Sequence, residues 1–122
     1  MGVDGVKYLC LVYGPESEIS KMDDHKCLDF DRSIRESGNC IASEALESVT
    51  AAKTVRVRNG KVNVMDGPFA ETKEQLAGFY MIEAESLDEA VKIASGIPPA
   101  QVGSVEVRPI RPIRTNPRRG SA

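Results

Sequence analysis

A chain of 122 residues is long enough for one domain with a modest buried core, without a metal or a disulfide to hold it together. Its net charge of −2 and its 28% of charged residues are ordinary for a globular protein and argue against a dedicated nucleic-acid binder. The longest uncharged apolar run, residues 8–13, is too short to cross a bilayer, and no secretory signal pattern is present. We therefore expect no direct contact with nucleic acid or membrane.

The cysteines and the single histidine exclude several kinds of site. Cys10, Cys27 and Cys40 are odd in number and widely spaced, which predicts free thiols in a reducing compartment, most simply the cytoplasm. One histidine and scattered cysteines do not match any zinc-site spacing, so no metal is expected. The sequence contains no glycine-rich phosphate-binding run, so no cofactor is expected either.

The first third of the chain reads as strand, helix, strand. Residues 1–6 have no periodicity and are predicted to be a flexible leader. Residues 7–13 form an apolar strand that ends at a Gly-Pro pair. Apolar residues then recur every three or four positions over 16–36, which predicts one helix that ends before Gly38. A short strand over 40–45 is expected next.

A β-hairpin gives the clearest local signal. Asn-Gly at 59–60 supplies the two positive-φ residues that a tight type I′ turn needs. Pairing across this turn places Val57 opposite Val62 and Val55 opposite Val64, all on one face. The basic residues that alternate with them then lie on the other face.

The second half of the chain continues with a turn, a strand and a helix. Residues 66–69 (Asp-Gly-Pro-Phe) read as the turn, and 76–84 as the strand. The helix covers 86–95 and begins with a capping box, in which Ser86 caps the helix and Glu89 reaches back to the cap.

The order of elements predicts an α+β, ferredoxin-like domain over residues 7–110. A last strand over 104–110 completes the split βαβ plan, with an antiparallel sheet and helices on one face, and 111–122 reads as a loose basic tail. The other sheet face keeps apolar side chains that a single helical layer does not cover. A second copy of the chain would cover them, so we expect a homodimer. The side chains concerned include some of Leu9, Leu11, Phe79 and Met81.

Three segments resemble a known family. They are Thr-Val-Arg-Val-Arg-Asn-Gly-Lys at 54–61, Met-Asp-Gly-Pro-Phe-Ala-Glu-Thr-Lys-Glu-Gln-Leu-Ala-Gly-Phe-Tyr at 65–80 and Gly-Ser-Val-Glu-Val-Arg-Pro-Ile at 103–110. They resemble the DGPF branch of the YCII-related proteins. The resemblance implies a bacterial, cytoplasmic, dimeric ferredoxin-like α/β barrel without an established reaction. It also suggests a sigma-factor-type partner, because members of this branch often lie beside, or are fused to, sigma factors of the extracytoplasmic-function class.

The chain departs from the wider family at its suspected histidine–aspartate dyad. The family's aspartate directly precedes a proline after the second helix, but here Ile97 precedes Pro98. The family's histidine lies in the first helix, and His25 is about two positions from that place. Two positions on a helix are about 200° apart, so His25 is predicted to be a solvated helix residue.

The segment from the hairpin to residue 74 carries the charged groups that could bind or transform a ligand. A carboxylate fixed at a Gly-Pro turn, with another carboxylate beside it, could titrate near neutrality and act as an acid or base. Basic side chains nearby could orient a small anionic ligand. The candidate catalytic residues are Asp66, Glu71 and Glu74, and the candidate ligand-binding residues are Arg56, Arg58 and Lys73. In the alternative interpretation 66–69 is an ordinary turn, Phe69 anchors it in the core, and 71–74 is a solvated helical turn.

Asp31 is a further candidate ligand-binding residue. It matches a helix aspartate in many sequences of the DGPF branch. Alternatively, it belongs to a solvated helix face that carries an Arg32–Glu36 pair.

Two functions therefore remain open from the sequence. The first is a small-molecule enzyme whose pocket lies between the helices and the sheet, lined by the loop at 66–74, with an anionic or carbonyl-bearing compound as its ligand. The second is a non-catalytic binding or regulatory dimer that acts with a sigma-factor-type partner.

Overall fold

A computed structural model describes residues 5–113, which contain six strands and three helices. The strands are β1 (Val6–Gly14), β2 (Cys40–Ala45), β3 (Lys53–Arg58), β4 (Lys61–Asp66), β5 (Gln75–Ala84) and β6 (Ser104–Pro109). The helices are α1 (Glu16–Ile19), α2 (Asp24–Glu36) and α3 (Leu87–Ala94), and two 3₁₀ turns cover Val49–Ala51 and Pro98–Gln101. Most of the predicted leader and tail, residues 1–4 and 114–122, lies outside the described residues.

Four of the strands form one antiparallel sheet in the order β2-β5-β1-β6. The first strand of the chain lies in the middle and the last lies at an edge, which is the ferredoxin-like arrangement. The hairpin β3–β4 is inserted between the second and third strands of this plan and forms a separate two-stranded sheet. The α+β fold class predicted from the order of elements is therefore confirmed.

The core lies between one face of the sheet and the helices. Along β1, buried residues alternate with half-buried ones, as a strand with two different faces requires. From the helical layer, Ile34 of α2 and Ala90 and Ala94 of α3 pack against this face. The small alanines let α3 approach the sheet closely. The buried side chains of the sheet are Tyr8, Cys10, Val12, Ile82 and Ala84.

The opposite face of the sheet, which we call the open face, carries a second set of apolar residues. In the antiparallel register Leu9 lies opposite Met81 and Leu11 opposite Phe79. All four are half-buried and none belongs to the core. The prediction that helices cover only one face is confirmed for these residues.

The prediction of a single helix over 16–36 is wrong in one respect, because the structure divides this segment into two helices. Helix α1 ends at Ile19 and α2 begins at Asp24, with Asp23 in an extended conformation between them. The carboxylate of Asp23 accepts a hydrogen bond from the backbone N–H of His25 at 2.9 Å. Aspartate at this position satisfies a free N–H group at the start of a helix, which favours a new helix start over continuation.

The predicted capping box of α3 is confirmed with one change. Ser86 accepts a hydrogen bond from the backbone N–H of Glu89 at 3.1 Å and so caps α3. The Glu89 carboxylate reaches back one residue further than expected, to the backbone N–H of Glu85 at 2.7 Å. None of the helices within residues 5–113 is long and apolar enough to span a membrane.

The predicted hairpin is confirmed in its turn and its register. Asn59 and Gly60 have φ angles of 52° and 77°, as a type I′ turn requires, and Val57 lies opposite Val62. We call residues 53–66 the arm, because they are not hydrogen-bonded to the four-stranded sheet.

Candidate functional site

A pocket of about 300 Å³ lies between the helices and the β2–β5 side of the sheet. Its volume is at the lower end of the range that small-molecule sites occupy. Most of its wall is apolar and includes Ile19 of α1, Met22 and Leu28. The interruption between α1 and α2 therefore contributes directly to the pocket, because Met22 belongs to the connecting segment.

Gly78 of β5 belongs to the pocket wall and lets β2 approach β5. A Cβ atom at this position would lie 2.7 Å from the backbone oxygen of Glu44 and 3.2 Å from the Cα atom of Ala45. Because ordinary side-chain carbons do not come so close to backbone atoms, any larger residue would push β2 away. A glycine inside a strand is typical of such a close backbone approach.

Asp31 and Ser43 of the pocket wall form a closed hydrogen-bonded network with Arg35, which lies outside that wall. Ser43 of β2 donates its hydroxyl hydrogen to one carboxylate oxygen of Asp31 at 2.5 Å. The Nε atom of Arg35 donates to the other carboxylate oxygen at 2.9 Å, and its Nη2 atom donates to the Ser43 hydroxyl oxygen at 3.1 Å. Asp31 and Arg35 are one helical turn apart on α2, so both reach the same residue of the neighbouring strand.

This network keeps Asp31 ionised. The hydrogen bond from Ser43 lowers the pKa of Asp31 most, burial opposes it, and the hydrogen bond and charge of Arg35 lower it further. The side chain of Asp31 is 27% exposed, and Asp31 is part of the pocket wall. The expected Arg32–Glu36 pair does not occur among the ion pairs of residues 5–113, where the pair on α2 is Asp31–Arg35.

Two other ionisable groups at the pocket wall stay protonated at neutral pH. Burial, together with the nearby Cys27 and Asp31, raises the pKa of Tyr80 to about 12. Burial and the neighbouring carboxylates of Asp24 and Asp23 raise the pKa of the Cys27 thiol. The pocket therefore offers an ionised carboxylate, a neutral phenol and a neutral thiol, and none of these three titrates near pH 7.

The predicted catalytic carboxylates do not line this pocket. Asp66 lies at the end of the arm, is 86% exposed and pairs with Lys53 across the hairpin. Glu74 accepts a hydrogen bond from the Ser104 hydroxyl at 2.9 Å, and Glu71 lies on an exposed loop. The structure does not bring these three carboxylates into the pocket that contains Asp31.

The predicted basic residues also lie away from the pocket. The guanidinium of Arg56 lies 5.4 Å from the centre of the Phe69 ring, and Arg58 donates to the backbone oxygen of Val57 at 3.1 Å. Lys73 is exposed in the loop. Phe69 is 76% exposed, so the expectation that it anchors the loop in the core is wrong. Residues 71–74 are not helical, so that expectation is wrong as well.

Comparison with known proteins assigns the chain to a family. The model of the YCII-related domain matches residues 6–114. The chain belongs to the YCII-related family. It is also similar to an uncharacterized protein of Rhizobium meliloti (strain 1021), with 43% identity over 112 residues, covering 84% of this chain and 90% of that protein.

The structure shows the surroundings of His25 and Ile97, the two positions at which this YCII-related chain is predicted to depart from the family dyad. His25 lies exposed in the first turn of α2 and is not part of the pocket wall. Ile97, where the resemblance to the wider family predicts an aspartate, is 1% exposed and belongs to the hydrophobic core. A charged side chain there would have to replace core packing. The part of the chain that the structure describes also contains no group of three His, Cys, Asp or Glu side chains arranged to hold a metal ion.

Ser43 and Tyr80 are two polar pocket residues that the sequence did not single out. Ser43 lies twelve positions from Asp31, and their contact depends on how α2 packs on β2. The available signal was the Asp31–Arg35 spacing, which places an acid and a base on one helix face. The other indication was a polar residue, Ser43, in the strand that follows this helix.

Proposed function

We propose that this YCII-related chain binds a small molecule in the pocket between the helices and the sheet. The observation that carries the proposal is the Asp31 carboxylate, held ionised and in a fixed position by Ser43 and Arg35 at the wall of a largely apolar pocket. An apolar pocket with a few fixed polar groups is typical of small-molecule sites. The ligand that fits has an apolar body and a hydrogen-bond donor that meets Asp31.

The protonation states at the pocket favour binding over acid–base catalysis. A general acid or base works best when its pKa lies near the working pH. The pKa of Asp31 is lowered from an already acidic value, whereas the pKa values of Cys27 and Tyr80 are raised. The non-catalytic alternative from the sequence therefore gains support, with the pocket as its binding site.

The charge of the pocket favours a neutral or cationic ligand. Asp24, Asp31 and Glu44 all contribute to its wall, and Arg35 offsets only one of these charges. The small anionic ligand expected from the sequence depended on the basic residues of the arm and of the loop at 66–74. That ligand stays a prediction for the loop and is not part of the pocket proposal.

The proposal includes assembly as a homodimer through the open face. It is supported by four half-buried apolar residues that no helix covers, since contiguous apolar surface of this kind marks an interface. A cytoplasmic location and a sigma-factor-type partner stay predictions of the resemblance to the DGPF branch.

A ligand-observed NMR screen of the full chain against a library of neutral, cationic and anionic metabolites tests the pocket. Hits that bind the wild-type protein are then measured with Asp31→Asn and with Asp29→Asn, a control on the exposed side of the same helix. We expect Asp31→Asn to weaken binding by about tenfold or more, because a hydrogen bond to a charged group contributes about 1.5–3 kcal/mol. Asp29→Asn is expected to leave affinity within about twofold of wild type.

Two results would contradict the proposal. One is a screen in which no compound of any charge binds the wild-type chain. The other is a set of hits whose affinity falls equally in the two variants, because loss of charge anywhere on α2 would then explain the effect.

A further inference from the structure

The arm exposes a continuous apolar stripe. Val55, Val57, Val62 and Val64 form two directly opposed pairs on one face, and each is between 56% and 68% exposed. Within residues 5–113 the arm strands pair with each other and add no strand to the main sheet. Nothing in the described part of the chain therefore buries this stripe.

Such a hairpin has little stability when it is isolated in water. A two-stranded hairpin in water is marginally stable, and β-branched residues in opposed pairs gain most when a second surface covers them. The Asn-Gly turn and the full register of six residue pairs show that the strands are nevertheless well specified. A well-specified hairpin with an uncovered apolar face is typical of an interaction surface.

The distribution of charge indicates which surface the arm fits. Residues 53–66 contain four lysines and arginines and one aspartate, which gives the arm a net charge of +3. The rest of residues 5–113 contains nine lysines and arginines and sixteen aspartates and glutamates, which gives a net charge of −7. A second copy therefore attracts the arm, whereas the acidic body would repel a nucleic acid that the arm attracts.

The attachment of the arm points to the same partner. The chain leaves the sheet after Ala45, which pairs with Gly78, and returns to it at the start of β5. The arm is thus attached at the β2 edge of the sheet, at the end where β5 begins. When two open faces pack together, an arm at this end can extend onto the other copy.

We propose that two copies of this chain exchange their arms, each arm packing its valine face against the body of the partner protomer beside the open face. The inference rests on the proposed homodimer and adds the arm to its interface. By two-fold symmetry both arms make the same contact, so one substitution in the chain alters two contacts in the dimer.

Sedimentation velocity of the full chain with Val62→Asp and Asn63→Asp tests the exchange. Both substitutions add one negative charge to the same strand, but Val62 lies on the valine face and Asn63 on the basic face. We expect Val62→Asp to raise the dissociation constant of the dimer at least about tenfold, because a carboxylate would be buried without a partner. Asn63→Asp is expected to change it by no more than about twofold.

A second measurement needs no variant and holds even if Val62→Asp impairs folding. Hydrogen–deuterium exchange of the wild-type arm is compared at protein concentrations below and above the dissociation constant. We expect slower exchange in the arm at the higher concentration. A dimer whose arm exchanges at the same rate at both concentrations, and which Val62→Asp does not weaken, would overturn the arm exchange and leave the homodimer intact. A wild-type monomer would overturn both, and binding of that monomer to a labelled DNA duplex would assign the arm to nucleic acid instead.

Discussion

Asp31→Asn perturbs the polar network of the pocket with little change in side-chain size. The wild-type carboxylate accepts hydrogen bonds from Ser43 at 2.5 Å and from Arg35 at 2.9 Å. A hydrogen bond to a charged group contributes about 1.5–3 kcal/mol, and an exposed ion pair one helical turn apart adds about 0.3–0.5 kcal/mol. Because Asp31 is partly exposed and the asparagine oxygen recovers part of the bonding, we expect the free energy of unfolding to fall by about 1–2 kcal/mol at pH 7.

The pH dependence of this difference identifies its origin. The pKa of Asp31 is lower in the folded protein, so the carboxylate stabilises the fold fully above the unfolded pKa of about 3.9. As the pH falls through the lower folded pKa, the carboxylate becomes protonated and this stabilisation is lost. The gap between wild type and Asp31→Asn should therefore be constant from pH 7 to about pH 5 and shrink below about pH 4.

Urea unfolding followed by circular dichroism measures the effect, because the chain has no tryptophan to report by fluorescence. All variants are compared at one protein concentration, because the apparent stability of the proposed homodimer would depend on it. Asp29→Asn serves as the control, with an expected change within about 0.5 kcal/mol. The reasoning is refuted if the two variants are equally stable, or if the deficit of Asp31→Asn persists undiminished at about pH 3.

Two further predictions concern the pocket wall. Gly78→Ala should lower the free energy of unfolding by about 1–3 kcal/mol, because its Cβ atom would crowd the backbone oxygen of Glu44; an unchanged urea midpoint would show that the two strands are not held at this distance. The raised pKa of Cys27 predicts that iodoacetamide alkylates it more slowly in the native chain at pH 8 than in the urea-unfolded chain. Mass spectrometry of the labelled peptide measures both rates, and equal rates would contradict the raised pKa.

Features decided by neighbouring residues could be predicted from the sequence. The Asn-Gly turn fixes the register of the arm within a few residues, and Ser86 and Glu89 specify the start of α3. The interruption before α2 was also local, since Asp23 caps the new helix. It was missed because the apolar repeat continues through the gap at Met22, a pocket residue.

Features that depend on distant contacts could be predicted only in part. Asp31 was named from the resemblance, but its contact with Ser43 follows from the packing of α2 on β2, which no local pattern specifies. The interpretation of 66–69 as an ordinary turn places Phe69 in the core, because phenylalanine is among the residues most often buried. In the structure Phe69 lies beside Arg56 of the arm and is exposed, so the expectation that the core buries it is wrong.

The most direct test of ligand binding in the pocket is a backbone-amide NMR titration of the wild-type chain with the tightest-binding compound from the screen. The pocket proposal predicts that the largest chemical-shift changes occur at Asp31, Ser43 and Gly78, and that they saturate together. Largest changes in the loop at 66–74 would instead support the site expected from the sequence. That outcome, or a titration that leaves the amides of Asp31 and Ser43 unchanged, would contradict the proposed function.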